Sequence, residues 1–442
     1  MNTTKKAKQE LVYNDNKIVK RINMPEDFHL FYKEYINQNG TNDTEKSESF
    51  YKEQFYLYVK SKVDDFLYGE KDNIVFLLGA GASVLGKDWK YGKTMSRLAC
   101  EIIKNLYFSK DSKSYERKIL TLEDFAQLSN IPDPTELKDT VNKVLSETND
   151  DNTKDFELEN FISTLNKILN LADKQGELFN STKNPHYIEQ VEKTRDLIQQ
   201  QISKLVRYKA YPFDAGKESF QHLSIMKLLM SKLDKDDSKL EVVTTNYDKV
   251  IEKAAEKGKI TVFDGFGFDS HPVFDDSWFD WNLSKKSQDS NTNEVEYKPN
   301  VIDLLKIHGS IDWFREKKEI VKKVNGKNVK KQVMIFPSSD KYKQSYDKPY
   351  FELMSHFQNI LRKPNTLLLT SGFSFSDDHI SRMIIDAVKI NSGLRVLITD
   401  YSLSGSSYDK IKDLISNNYD VAILKASMND KDENHGLHFY LN

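Results

Sequence analysis

The side chains able to do chemistry cluster in five short stretches, each at the end of an apolar run. Gly79-Ala80-Gly81-Ala82-Ser83 follows Asn73–Leu78. Glycines without a Cβ let a backbone turn sharply and approach a ligand, and N–H groups in such a turn can cradle a phosphate. Thr244-Thr245-Asn246-Tyr247-Asp248 ends a second run; Asn246 can donate and accept hydrogen bonds, and Asp248 adds a carboxylate. His308 follows Val301–Ile307 and precedes Gly309, and its imidazole suits a general base near neutral pH. Ser371-Gly372-Phe373-Ser374-Phe375-Ser376-Asp377 is a small-residue turn after Asn365–Thr370 that offers ribose or phosphate contacts. Asp400 closes Leu394–Thr399 with a carboxylate able to accept ribose hydroxyls.

Each stretch also has a plain structural reading. The glycine turn lacks the third glycine of a dinucleotide fingerprint, since position 84 is Val84, and no Gly-Lys-Ser/Thr triplet makes it a P-loop. A tight structural turn and a phosphate site both remain open for it. Asn246 or Asp248 can cap the following helix, as can Ser376 or Asp377, and His308 alone can be a structural histidine. Together the five are harder to dismiss. If their strands are parallel, all five tips lie along one edge of one sheet, where α/β proteins bind nucleotides.

The elements that would position these tips alternate. Strands are expected over Asn73–Leu78, Leu240–Thr245, Val301–Ile307, Asn365–Thr370, Leu394–Thr399 and Tyr419–Lys425. Helical spacing appears at Thr94–Leu106, Phe156–Leu171, Val191–Val206, Lys249–Lys257 and Ile380–Ile390. Continuous apolar strands fit burial on both faces, so the expected fold is α/β: a doubly wound, mostly parallel, Rossmann-like sheet with a helical insert subdomain. The expected division is an N-terminal helical accessory segment over 1–70, a main domain over 71–430, and a tail over 431–442. The insert is placed at about 118–235, with a polar connector at Glu147–Asp155. Ser284–Asn293 reads as a polar loop, either disordered or a surface excursion. Residues 317–335 read as a Lys-rich β-hairpin turning at Asn325-Gly326, its lysines guarding an exposed edge or, less simply, holding a polyanion.

Composition narrows the class. The 442 residues carry 65 Lys and Arg against 67 Asp and Glu, a net charge of −2, which excludes a chain that coats nucleic acid by bulk charge. Direct nucleic-acid binding is not expected. With 22 Tyr and 25 Phe the chain can bury a sizeable core. A single cysteine, Cys100, rules out an intramolecular disulfide and a Cys-rich zinc module, and its apolar helix face marks it as core. Apolar runs are far shorter than a membrane span and the first residues lack a secretory apolar stretch, so no membrane association and a cytoplasmic location are expected.

The ordered motifs resemble the sirtuin superfamily, and most closely its bacterial sirtuin-like branch found in antiviral defence systems. The resemblance covers about residues 70–430. Gly79-Ala80-Gly81-Ala82-Ser83 is similar to the sirtuin NAD-binding loop, Thr244–Asp248 to that branch's Asn/Asp motif, and Lys306-Ile307-His308-Gly309-Ser310 to the catalytic His-Gly motif. Ser371–Asp377 is similar to its late glycine turn, and Phe156–Phe161 to a helical segment of the insert. The resemblance implies catalytic roles for Asn246 and His308. It also implies NAD+ contacts from Gly79, Ala80, Gly81, Ala82, Ser83, Thr245, Asp248, Gly372, Ser374 and Asp400. Deacylating sirtuins carry a four-cysteine zinc module that one cysteine cannot supply, so no metal is expected. The branch without zinc hydrolyses NAD+ during phage infection, and that is the implied activity. NAD-dependent deacylation, ADP-ribosyl transfer and a non-catalytic NAD-binding scaffold are the competing readings. Control through a homo-oligomer is expected, with a separate ring-forming ATPase, a nucleic-acid-guided protein or a phage protein as partner.

Overall fold

The computed structural model describes residues 9–15, 18–37, 46–69, 71–86, 90–115, 118–129, 133–146, 158–174, 186–213, 219–286, 295–323, 332–334, 348–401, 408–429 and 436–442. Fourteen strands are named in chain order. They are β1 (Gln9–Asp15), β2 (Ile18–Asn23), β3 (Asn73–Leu78), β4 (Leu240–Thr244), β5 (Thr261–Phe263), β6 (Ser284–Lys286) and β7 (Val295–Tyr297), followed by β8 (Val301–Lys306), β9 (Gly309–Glu316), β10 (Glu319–Lys322), β11 (Gln332–Met334), β12 (Thr366–Ser371), β13 (Leu394–Asp400) and β14 (Val421–Lys425).

Nine of them form one sheet in the order β2-β1-β14-β13-β12-β3-β4-β8-β5. From β14 to β5 all neighbours are parallel, while β1 pairs antiparallel with both β14 and β2. The expected doubly wound α/β sheet is therefore present. The chain leaves β3 toward β4 and later returns to β12 on the other side of β3. That reversal makes the β3–β12 boundary the topological switch point, where such sheets open a crevice.

The apolar runs serve both faces, as a parallel sheet requires. Phe76, Val242, Leu304, Leu369 and Leu397 pack into one core cluster, and their neighbours Val75, Val243, Leu305, Leu368 and Val396 pack into the other. Helix His222–Met230 covers the first face beside Val250–Gly258; Tyr350–Leu361 and Asp378–Ile390 cover the second. A third cluster holds the insert. Helices Leu122–Leu128, Pro134–Ser146, Leu158–Lys174 and Tyr187–Leu205 pack there with Met95–Ile103, and buried Cys100 sits in that core.

The structure differs from the sequence expectations in four places. Residues 1–70 are not simply helical: β1 and β2 extend the sheet, and only then does helix Glu48–Leu67 follow. The insert core starts before residue 118, because Met95–Ile103 contributes to it, and it ends before His222–Met230, which packs on the sheet. The Lys-rich hairpin is β9–β10 with its turn at Lys317-Lys318, and β11 pairs with the other side of β9 instead of with β10. Within the 431–442 tail, Leu437–Leu441 is a helix that buries Leu437, Tyr440 and Leu441 in the sheet's first core. The connector Glu147–Asp155, the turn Asn325-Gly326 and the first two residues of Phe156–Phe161 lie outside the described residues, as does Ser287–Asn293; Ser284–Lys286 is strand β6, paired with β7. No helix among the described residues is long and apolar enough to cross a membrane.

Candidate active site

One register row crosses five strands: Lys306 pairs with Thr244, Thr244 with Leu78, Leu78 with Ser371, and Ser371 with Thr399. The chemistry of every strand lies just past that row. His308, Asn246, the Gly79 turn, the Gly372 turn and Asp400 therefore stand side by side along one edge. They surround a cavity of about 500 Å³, within the size range of small-molecule sites. Ala80, Gly81, Ser83, Thr245, Asn246, Asp248, His308, Gly372, Ser374 and Asp400 line it, while Gly79 and Ala82 do not.

The two glycine turns interlock at the switch point. Gly79 N–H donates to Ser371 O (3.1 Å) and Gly81 N–H to Gly372 O (3.0 Å). A Cβ on Gly79 would lie 2.4 Å from Gly372 O, and one on Gly372, whose φ is +61°, would lie 2.2 Å from Ala82 N. Absent side chains are what let the turns touch. The cost is donor supply: Ala82 N–H bonds Gly79 O and Val84 N–H bonds Gly81 O. Four amides of this turn are thus committed to protein carbonyls, so a cradle of successive free N–H groups is not what the turn presents.

Asn246 ties β4 to that turn. Its Nδ2 donates to Gly79 O (2.9 Å) and Ser83 Oγ (3.0 Å), and its own N–H donates to Thr244 Oγ1 (3.0 Å). With both amide donors used, its carbonyl oxygen is the group left for a ligand. Asp248 is a bracket: Oδ2 accepts from Ser83 Oγ (2.7 Å) and Oδ1 from Val250 N (3.0 Å), at the start of the next helix. Burial raises its pKa, partly offset by Lys306 and the Ser83 hydroxyl. Lys306, fully buried, donates to Asp248 O and to Glu252 Oε1 (3.0 Å), fixing the β8 tip to the same bracket.

His308 Nε2 lies 3.4 Å from Asp377 Oδ2. Asp377 also caps helix Asp378–Ile390, its Oδ1 accepting from His379 N (3.1 Å) and Ile380 N (3.3 Å). The cap reading of Asp377 is therefore correct but incomplete. Asp400 accepts from the Tyr408 hydroxyl and from Tyr401 N (2.7 Å), and the pairing with burial holds the Tyr408 proton on.

Sequence reasoning missed the opposite wall, made by Lys93, Thr94, Ser96 and Tyr208. Thr94 Oγ1 caps Met95–Ile103 by accepting from Arg97 N (3.3 Å), so that helix aims its N-terminus at the cavity. Ser96 Oγ is buried there and has no hydrogen-bond partner among the described residues. Lys93 reaches Glu101 at 3.5 Å. The cap pattern Thr-Met-Ser-Arg was readable; that it faces the glycine turn was not, because the contact is made by Gly92, whose Cβ would sit 2.2 Å from Ser83 O.

Of the described lysines of the β9–β10 hairpin, Lys317 and Lys318 are exposed at the turn and the two on β10 and just after it are paired. Lys322 pairs with Asp264 and Lys323 with Glu316, while Lys327, Lys330 and Lys331 lie outside the described residues.

The cavity lies at the switch point of a parallel α/β sheet, the position where such sheets bind their ligands. Residues 240–424 match the family model of the SIR2-like domain, which supports a Sir2-like assignment and an NAD-related activity. That stretch runs from β4 to β14. The Gly79 turn lies outside it, yet β3 sits between two matched strands, β12 and β4. A search of curated proteins finds no match.

Proposed function

We propose that the chain is an NAD+ glycohydrolase that cleaves the nicotinamide–ribose bond, giving nicotinamide and ADP-ribose, and that it thereby depletes NAD+ in antiphage defence. The observation that carries the reading is the convergence of Asn246 and His308 on one cavity beside the glycine turns. The SIR2-like match supports NAD+ as the substrate, and the sequence resemblance to the zinc-free antiviral branch supports the proposed setting.

Bond cleavage sends the electron pair to the ring nitrogen, so nicotinamide leaves neutral and positive charge builds on the ribose carbon. The carbonyl oxygen of Asn246 faces that charge and orients the attacking water. His308 takes the water's proton as the new C–O bond forms, with Asp377 stabilising the imidazolium; such a base contributes roughly 10²–10⁴-fold. Lys93 and the N-terminus of Met95–Ile103 offset the pyrophosphate charge, and Ser96 Oγ supplies a donor. Asp400, with one oxygen on Tyr408, accepts a ribose hydroxyl. The glycine turns form the floor on which the dinucleotide bends.

An enzyme that destroys NAD+ needs restraint, so activation by self-assembly or by a separate partner protein belongs to the proposal. The test is a mass-spectrometric time course of NAD+ with the purified chain, alone and with candidate partners. Stoichiometric nicotinamide and free ADP-ribose support hydrolysis. ADP-ribose found only on an acceptor, or no turnover in an assembled sample, overturns it.

A further inference from the structure

We propose that Glu241, Asp303 and His356 form a binding site for a divalent transition-metal ion, on the sheet but away from the active-site cavity. Glu241 on β4 and Asp303 on β8 are register partners. Both point to the face covered by Tyr350–Leu361, as do their neighbours Val243 and Leu305. That helix supplies His356, and one ligand atom from each of the three residues lies within 4.8 Å of the others. Glu241 precedes Asn246 by five residues, or about 16 Å of extended strand, so the cluster is separate from the catalytic edge.

The second observation is a set of orphaned atoms. Glu241 Oε2, Asp303 Oδ1 and His356 Nε2 are all buried without a hydrogen-bond partner among the described residues. Glu241 is 7% exposed and Asp303 1%, so water does not solvate them. A buried carboxylate normally finds donors, and two placed side by side repel. Lys239 answers only one oxygen, Asp303 Oδ2 at 2.8 Å, and spends its other protons on Phe279 O (2.6 Å) and Trp281 O (3.1 Å). That leaves three lone-pair donors converging on one point. Glu241 Oε2 and His356 Nε2 are 3.8 Å apart, close to the ligand–ligand separation around an ion with bonds of roughly 2.0–2.2 Å. Phe279, its ring 4.9 Å from that of His356 and tilted 34° to it, packs against the imidazole.

One imidazole beside two carboxylates favours Zn²⁺, a borderline ion, with Mn²⁺ the harder alternative that two carboxylates suit, over Mg²⁺ or Ca²⁺, which favour all-oxygen sites. The ion would staple β4 and β8 to the helix above them, and its binding would displace any proton the carboxylates share.

Calorimetric titration of the full chain with Zn²⁺ and with Mn²⁺, with metal content by mass spectrometry after dialysis, tests this. The expected result is about one ion per chain, with affinity at least about tenfold weaker in Glu241→Gln and in His356→Ala. The near-isosteric Gln keeps the fold, which circular dichroism checks, and His308→Ala should bind the ion as the unmodified chain does. Absence of stoichiometric binding overturns the proposal, as does undiminished affinity in both ligand variants. Neither outcome bears on NAD+ cleavage.

Discussion

Asp377 does two jobs with two oxygens, and the jobs can be separated. Asparagine caps a helix as well as aspartate, so Asp377→Asn keeps the bonds to His379 and Ile380 while removing the charge 3.4 Å from His308. The expected outcome is an unchanged melting temperature and kcat for NAD+ cleavage lowered about tenfold, against roughly 10²–10⁴-fold for His308→Ala. Equal kcat in Asp377→Asn and the unmodified chain would assign the pair to structure alone. Asn246 behaves differently because its Nδ2 holds the turn. Asn246→Asp sets a carboxylate oxygen against Gly79 O and removes a donor worth about 1–3 kcal/mol once its partners are left unsatisfied. Thermal melts should therefore fall for Asn246→Asp but not for His308→Ala, with activity lost in both. At this scale the wall built by the strand tips was readable, since five polar tips on one parallel sheet edge are harder to explain by caps and turns than any one of them. Lys93, Ser96 and Tyr208 were not, because nothing in their local sequence marks the wall they form across the cavity. Glu241, Asp303 and His356 have no motif spacing at all; only strand register and a helix docking on it bring them together.

Between elements, the critical contact is turn against turn. Gly372→Ala puts a methyl 2.2 Å from Ala82 N at a residue with φ +61°. Left-handed strain alone costs about 1–2 kcal/mol, and the clash adds to it by prising β12 from β3. Differential scanning calorimetry should show a clear loss of stability, and NAD+ binding should fail before the fold does. Helix His222–Met230 carries a different load. His222 is buried, its Nδ1 unbonded among the described residues, and desolvation lowers its pKa from 6.5 to about 3. Between those values the unfolded chain binds a proton that the folded chain refuses. Stability from this residue is complete above about pH 6.5 and is lost as pH falls toward 3, by up to ~1.4 kcal/mol per pH unit. Replacing His222 with Leu should flatten the acid limb of a urea-denaturation series between pH 6.5 and 4; an unaltered slope would show that the histidine titrates elsewhere. The central strands were visible because runs such as Ile74–Leu78 are apolar on both faces. β9 was not, although Ser310 and Asp312 alternate with Ile311 and Trp313: both polar residues are buried, bonded to each other (2.6 Å) and, through Asp312, to Lys249 (2.5 Å) instead of facing solvent.

For the molecule as a whole, the sheet's two ends are unequal. The β5 end is parallel and short, whereas the far end is closed by the antiparallel pair β1 and β2, which lies beyond β14. β1 lies in register with β14, Leu11 against Leu424 and Val12 against Ile423, and Glu10 is buried beside Lys425 (3.2 Å). A seven-residue strand with only Leu11, Val12 and Tyr13 as its apolar stretch has no signal of its own, which is why the first 70 residues read as accessory helices. Its partner β14 is the last strand of the sheet, so the pairing is a contact between chain ends that no local pattern announces. Burying Leu11 and Val12 contributes on the order of 1.5–3 kcal/mol each, and β1 also covers the open edge of β14. A chain beginning at residue 24 would expose that edge, a template for pairing with another copy. Light scattering and thermal melts on that truncation should show concentration-dependent association and a lowered melting temperature. Substituting Leu11 and Val12 with Ala in the full chain should lower the melting temperature without association, because the strand still caps the edge. Were the truncated protein monomeric and as stable as the full chain, β1 and β2 would be ornaments on the sheet and not its closure.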